Sequence, residues 1–283
     1  MQKTLSQPLR LEGIGLHSGC RVNLVLKPAP VNHGIVFSRV DLPDKPKIPA
    51  LYSNVVDTRN CTCLGDKQGN LVSTVEHLMA ALSVAGVDNT LIEVDNQELP
   101  IMDSSAAVFF QAFTAPGALS EQNAPKKFLK VKKEIRFAEE GREVVLRPAA
   151  KGQHVRFAID FPSPVVGHQE FAGEITPQLF AAQISPCRTF CEKYQVDYLQ
   201  SIGLIKGGSL ENAVVLDGDK ILNPEGFRCE NECVNHKVLD AVGDLYTSGY
   251  YIIGELDAVR TGHRHTNELL KLLFADEENY EIV

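Results

Sequence analysis

The sequence has no surplus of positive charge: 28 Lys and Arg stand against 36 Asp and Glu, a net charge of −8. Without a basic field, general nucleic-acid binding is excluded. Long apolar runs are missing too. The longest charge-free stretch, Ser104–Ser120, is broken by Pro116 and Gly117, whereas a bilayer span needs about 20 mostly apolar residues. The opening MQKTLSQPLRLEG lacks the apolar segment of a secretory signal. A cytoplasmic chain without a stable membrane anchor is expected. Seven cysteines, an odd number, do not suit a secreted disulfide framework, and Cys61/Cys63, Cys187/Cys191 and Cys229/Cys233 all lack the two-residue gap of a zinc knuckle. Reduced, structural thiols are expected. What is present is an ordinary globular composition, 44% hydrophobic and 23% charged over 283 residues, enough chain for about two domains.

Those domains read as copies of one another. LVLKPA at Leu24–Ala29 recurs as VVLRPA at Val144–Ala149, each shortly after a Gly and an Arg. EHLMAALSVAG from Glu76, followed by TLIEV, parallels NHKVLDAVGDLYTSG from Asn235, followed by YYIIGEL. After each strand come a short loop and a second helix, SSAAVFFQAF from Ser104 and HTNELLKLLF from His265. Three matches in register predict duplication, each half an α+β unit with a sheet covered on one face by two helices. The predicted domains are residues 1–120 and 127–283, with a linker-like seam near Gly117–Lys127. The second half carries extra chain between Thr176 and Glu232, densest in structure signals at about 190–222, where a helical pattern, a Gly207/Gly208 turn and a β-branched strand follow one another. An insertion of this kind points to function rather than architecture.

The chemistry-bearing residues lie on the matched helices. Ser73 is expected as the N-cap of the first helix, with STVE as a capping box in which Glu76 reaches back to the backbone. Val75, Leu78, Met79 and Leu82 form one stripe, and the helix is apolar nearly all round, so Glu76 and His77 need buried partners. A plain structural role remains open for both. In the second half His236 and Asp240 stack at i and i+4 with Gly243 and Asp244; an exposed ion pair is the bland alternative. The duplication places His77 and His236 at equivalent points, so a pseudo-twofold axis can join the two imidazoles, with Asp240 one turn away. Two imidazoles and a carboxylate make a catalytic zinc set with one open position. Glu76 then suits a general base beside the metal's water, although no HExxH motif is present. His263, after Gly262, suits a general acid held charged by Asp244. His263 with His265 could instead form a metal pair, a weaker reading for a loop. His33, His154 and His168 are expected to be solvated in loops.

GIGLHSG, STVEHLMAAL, PIMDSSA, RTF, GLIKGGSLENA, HKVLDAVGDL and a late GH occur in this order over nearly the whole chain. In these motifs the sequence resembles the zinc-dependent UDP-3-O-acyl-N-acetylglucosamine deacetylases of lipid A biosynthesis. The resemblance implies a four-layer β-α-α-β sandwich with the active site between the halves. It implies Zn2+ on His77, His236 and Asp240, Glu76 as base, and His263 paired with Asp244 as acid. It further implies Thr189 at the oxyanion, Lys237 near the reacting centre or a phosphate, Phe190 against the sugar, Phe161 against uridine, and Arg260 and Arg142 near the diphosphate. The insertion becomes a fatty-acyl tunnel involving Val196, Gly208, Ser209, Ala213 and Val215. The expected substrate is a UDP-linked acylated amino sugar, deacetylated by a monomer. His265 departs from the resembled pattern and leaves open an inhibitory metal contact or a shifted pH optimum. Two other functions are weighed: a zinc amidase acting on another acylated sugar, and a noncatalytic nucleotide-sugar binder with a structural metal.

Overall fold

A computed structural model describes all 283 residues. The first half contains β1 (Gln2–Leu5), β2 (Leu9–Ile14), β3 (Arg21–Pro28), β4 (Ile35–Arg39) and β5 (Lys47–Pro49). Three short strands follow, β6 (Val55–Asp57), β7 (Cys63–Gly65) and β8 (Leu71–Val72), then α1 (Glu76–Ala85), β9 (Thr90–Val94), α2 (Ala107–Thr114) and β10 (Leu119–Gln122). The second half runs β11 (Phe128–Val131), β12 (Ile135–Glu139), β13 (Arg142–Arg147), β14 (Gln153–Asp160) and β15 (His168–Glu174). After a short turn of helix, α3 (Pro177–Leu179), come β16 (Phe190–Glu192), α4 (Lys193–Ser201), β17 (Val214–Asp217) and β18 (Lys220–Ile221). The chain ends with α5 (Glu232–Tyr246), β19 (Tyr251–Val259), α6 (His263–Phe274) and β20 (Tyr280–Ile282).

The expected repeat is present in the strand order. The first sheet is β2-β3-β9-β4-β5 and the second contains β12-β13-β19-β14-β15. In each, the central strand runs parallel to one neighbour and antiparallel to the other. Even the edges correspond: β1 pairs antiparallel with β10 and touches Asn89 in parallel, as β11 pairs with β20 and β19. β3, carrying the first copy of the repeated hexapeptide, alternates buried and outward residues as a half-covered strand must.

The two helical layers face each other, with α1 packed along α5. One apolar core of 52 residues runs from the first sheet (Leu24, Phe37) through Leu78 and Leu239 to Leu256 of the second, so the α+β halves share an interior. Contact between α1 and α5 is closest at Gly243, where an added Cβ would lie 2.0 Å from the Glu76 carbonyl oxygen. Only glycine permits that approach. No helix is long and apolar enough to cross a membrane.

Several local expectations are corrected. Residues Gly117–Lys127 read as a linker, yet β10 lies inside them and pairs with β1. The predicted capping box does not form. Thr74 takes a left-handed conformation (φ 60°), so the helix cannot extend back to Ser73 and starts at Glu76, after Val75. Ser73 instead hydrogen-bonds the Gln97 carbonyl through both its amide and its hydroxyl. His154 and His168 lie on β14 and β15 rather than in loops. His263 and His265 belong to the first turn of α6, not to a loop before it. The insertion in the second half is the separate sheet β16-β17-β18 with α4; its first-half counterpart, β6-β7-β8, carried no signal in the sequence.

Candidate active site

Helix α1 begins on the floor of the seam with two polar residues that are almost wholly buried, Glu76 at 3% exposure and His77 at 4%. Across from them α5 is buried at every position except Lys237, which excludes the exposed ion-pair reading of His236 and Asp240. One donor atom from each of His77, His236 and Asp240 lies within 4.8 Å of the others. Asp240 Oδ1 is 3.6 Å from His77 Nε2 and 3.4 Å from His236 Nε2, and the two imidazoles meet edge to face with centroids 5.0 Å apart. His236 Nδ1 contacts the Cys187 carbonyl at 3.0 Å. That carbonyl can only accept, so Nδ1 carries the proton and Nε2 presents its lone pair to the cluster, the usual support of a ligating histidine.

These donors fit a divalent transition ion. Asp240 Oδ1 is buried without a hydrogen-bond partner, a costly vacancy for a carboxylate unless a cation completes it. Its other oxygen accepts from Lys237 Nζ at 2.5 Å. Burial opposes the Asp240 charge, but Lys237 and the histidines hold its carboxyl well below the usual carboxylate range. Burial pushes His236 down to about 4, leaving it neutral and able to ligate.

Glu76 and His263 converge beside this cluster. Glu76 Oε2 accepts the Thr62 amide at 3.0 Å, and Oε1 faces His263 Nε2 at 4.0 Å. Burial raises the Glu76 carboxyl above its ordinary value, a shift that the neighbouring histidines oppose. His263 Nδ1 lies 2.8 Å from Asp244 Oδ2, and Asp244 Oδ1 accepts from Thr62 Oγ1 at 2.6 Å. Burial disfavours the imidazolium, but Asp244, Glu76 and Asp240 outweigh it and raise His263 to about 9. A buried carboxylate that can accept a proton thus stands opposite an imidazolium that can give one. Thr62, bonded to Glu76 through its amide and to Asp244 through its hydroxyl, holds both and was not foreseen.

Two cavities open from this point. A polar one of about 540 Å3 is lined by His236, Lys237, Asp240, His263, Phe161 and Arg142, among others. An apolar one of about 670 Å3 is lined by all five residues singled out in the insertion, Val196, Gly208, Ser209, Ala213 and Val215, with Leu16 and His17 from the first half. Thr189 and Phe190 line both, and the Phe190 ring meets Phe161 edge to face at 5.0 Å. Thr189 is held by the first half: its amide bonds Ser104, in the PIMDSSA segment. The preceding Arg188 is fully buried on Glu232, which is itself fully buried. Arg260 stands apart from both cavity walls, its guanidinium on the Gly141 carbonyl. His265 lies in the wall of the polar cavity, edge to face with Phe137 at 5.7 Å and outside the three-donor cluster.

Comparison with known proteins follows the same lines. The family model for UDP-3-O-acyl N-acetylglycosamine deacetylase matches residues 2–275. Similar proteins named UDP-3-O-acyl-N-acetylglucosamine deacetylase occur in Shewanella violacea (46% identity), Pasteurella multocida (45%) and Actinobacillus pleuropneumoniae (44%). Each alignment covers 100% of this chain and 92% of the relative.

Proposed function

The chain belongs to the UDP-3-O-acyl N-acetylglycosamine deacetylase family, and from that premise we propose how its residues carry out the reaction. It is an amide hydrolase of lipid A biosynthesis, removing the N-acetyl group of UDP-3-O-acyl-N-acetylglucosamine as acetate. We assign Zn2+ to His77, His236 and Asp240, because two imidazoles and a carboxylate with one position left open are a catalytic zinc set. When bound, zinc supplies a Lewis acid that polarises the amide carbonyl and brings the pKa of water to about 7.

The protein's own groups do the rest. Glu76 Oε1, its partner oxygen anchored by Thr62, takes a proton from the attacking water. Thr189 and Lys237 face the negative charge that develops on the carbonyl oxygen. His263 gives the proton of Nε2 to the leaving nitrogen, so that a neutral amine departs, while Asp244 keeps the ring charged and aimed. Glu76 gains one proton and His263 loses one, so the first products are acetic acid and neutral amine. The acid's proton then passes to the amine, giving acetate and ammonium, and the proton on Glu76 returns to His263. Phe190 packs on the sugar, Phe161 on uridine, and Arg142 takes the diphosphate; Arg260 joins it only when its guanidinium leaves the Gly141 carbonyl. The acyl chain lies along Val196, Gly208, Ser209, Ala213 and Val215. We read residues 1–120 and 127–283 as the two domains, with about 190–222 as the tunnel wall, working in the cytoplasm as a monomer, since one chain holds every group named.

The observation that carries this reading is the approach of Glu76 Oε1 and His263 Nε2, to 4.0 Å, beside the buried cluster of His77, His236 and Asp240. Steady-state deacetylation by Glu76→Gln tests it. Turnover is expected to fall roughly 10²–10⁴-fold with KM little changed. Full turnover in that variant, or activity that survives exhaustive chelation, removes the proposal.

A further inference from the structure

Cys187 and Cys229 bracket the insertion: one precedes β16, the other follows β18, and their Sγ atoms lie 3.3 Å apart across 42 positions of sequence. Cys187 is fully buried, and its carbonyl is the one that orients His236. Cys229 is half-buried and lines a surface cavity of about 470 Å3 with Phe171, Ala182, Gln183, Asn231 and Asn235. A small solute therefore has a route to Cys229, while Cys187 waits behind it. The reaction uses neither thiol.

We propose that Cys187 and Cys229 are a reversible disulfide-forming pair whose oxidation by a peroxide weakens the metal centre through the Cys187 carbonyl. The Cys229 sulfur attacks one peroxide oxygen and the O–O bond breaks, leaving a sulfenic acid and one water. The Cys187 sulfur then forms the S–S bond and releases the hydroxyl as a second water. Two thiols lose two electrons and one hydrogen peroxide becomes two waters. The sulfurs must close from 3.3 Å to about 2.05 Å. Whatever part of that movement the two side-chain torsions do not supply falls on the backbone at both ends, and at Cys187 the peptide concerned holds His236. The thiol contact from Cys187 Sγ to the Gln183 carbonyl, 3.0 Å long, is given up. Transient disulfides of this kind are the usual form of cysteine oxidation in a reducing compartment.

The effect on the metal rests on the proposed function; the link does not. The test treats the metal-loaded wild type with hydrogen peroxide, maps cysteine linkage by peptide mass and follows metal transfer to a chromogenic chelator. A 187–229 crosslink is expected, with the Cys187 and Cys229 thiols both lost whatever is lost at exposed Cys20, metal loss faster by about tenfold or more, and both changes reversed by dithiothreitol. Cys229→Ser should stay at the reduced wild-type values in both measurements. The proposal fails if both thiols stay free at a dose that fully oxidises exposed Cys20, or if either cysteine links elsewhere. A crosslink that leaves metal release unchanged overturns the coupling. A protein that takes up no metal at all overturns the functional reading while the linkage result stands by itself.

Discussion

At the scale of single residues, the proposed proton donor is made by its neighbours. His263, pushed up to about 9, keeps its proton at neutral pH and loses it as pH rises through that value. Its contribution to stability has the same sign: complete below the ordinary histidine value of about 6.5, and lost as pH climbs to about 9. Asp244→Asn is therefore expected to return His263 toward ordinary behaviour, seen directly by NMR titration of the imidazole, and to move the basic limb of the rate profile to lower pH. An unchanged titration would contradict the pairing. Thr62→Val deletes the hydroxyl that satisfies Asp244 Oδ1 and leaves a buried acceptor bare, a cost of about 1–3 kcal/mol measurable by urea unfolding. Glu76, His77, His236, Asp240 and Asp244 could be read in the sequence because ionisable side chains on apolar helices demand partners, and His263 because it follows the turn at Gly262, although it was read as a loop residue and lies in the first turn of α6. Thr62 could not. It sits in a short irregular segment with no periodicity, and its amide does half of its work.

At the scale of elements, the spacing of α1 and α5 sets the site. Gly243→Ala would drive a methyl into the Glu76 carbonyl; separating the helices is expected to cost about 1–3 kcal/mol and to lower metal affinity, checked by thermal unfolding beside a competitive chelator titration. The loop between β2 and β3 makes a second junction. Glu98 accepts the amides of His17 and Ser18, and the loop's carbonyls receive Lys206 and Gly207 of the insertion. Glu98→Ala should loosen this wall and raise KM for long acyl chains more than it changes kcat. The long helices were legible because large apolar residues recur at helical spacing, Val75, Leu78, Met79 and Leu82 in the first half and Val238, Leu239, Val242 and Leu245 in the second. β10 was not: its residues LSEQ offer no alternation, and only pairing with β1, at the far end of the same half, makes them a strand. The false capping box has a similar origin, since a tertiary pairing of Ser73 with Gln97 overrode a valid local signal.

For the whole molecule, the shared core and the shared ligand cluster couple the halves. Zinc at 100 times its Kd should add about 2.7 kcal/mol of stability, and chelation should remove it from both halves in one transition. In His77→Ala, calorimetry with and without metal is expected to give nearly coincident melting curves; a full metal-dependent shift would mean the ion is held elsewhere. The strand orders of the two sheets, so nearly alike, also bear on descent. A homodimer of the ancestral unit could offer only matched donors about its twofold axis. Aligned on their histidines, the paired helices keep that match at His77 and His236 and break it elsewhere: Glu76 answers to Asn235, Ala81 to Asp240 and Ala85 to Asp244. Such lopsidedness is closed to identical subunits, which must mutate in unison. A single chain that carries both copies is free of that constraint, and the proposed division of labour, one half taking a proton and the other giving it, depends on that freedom.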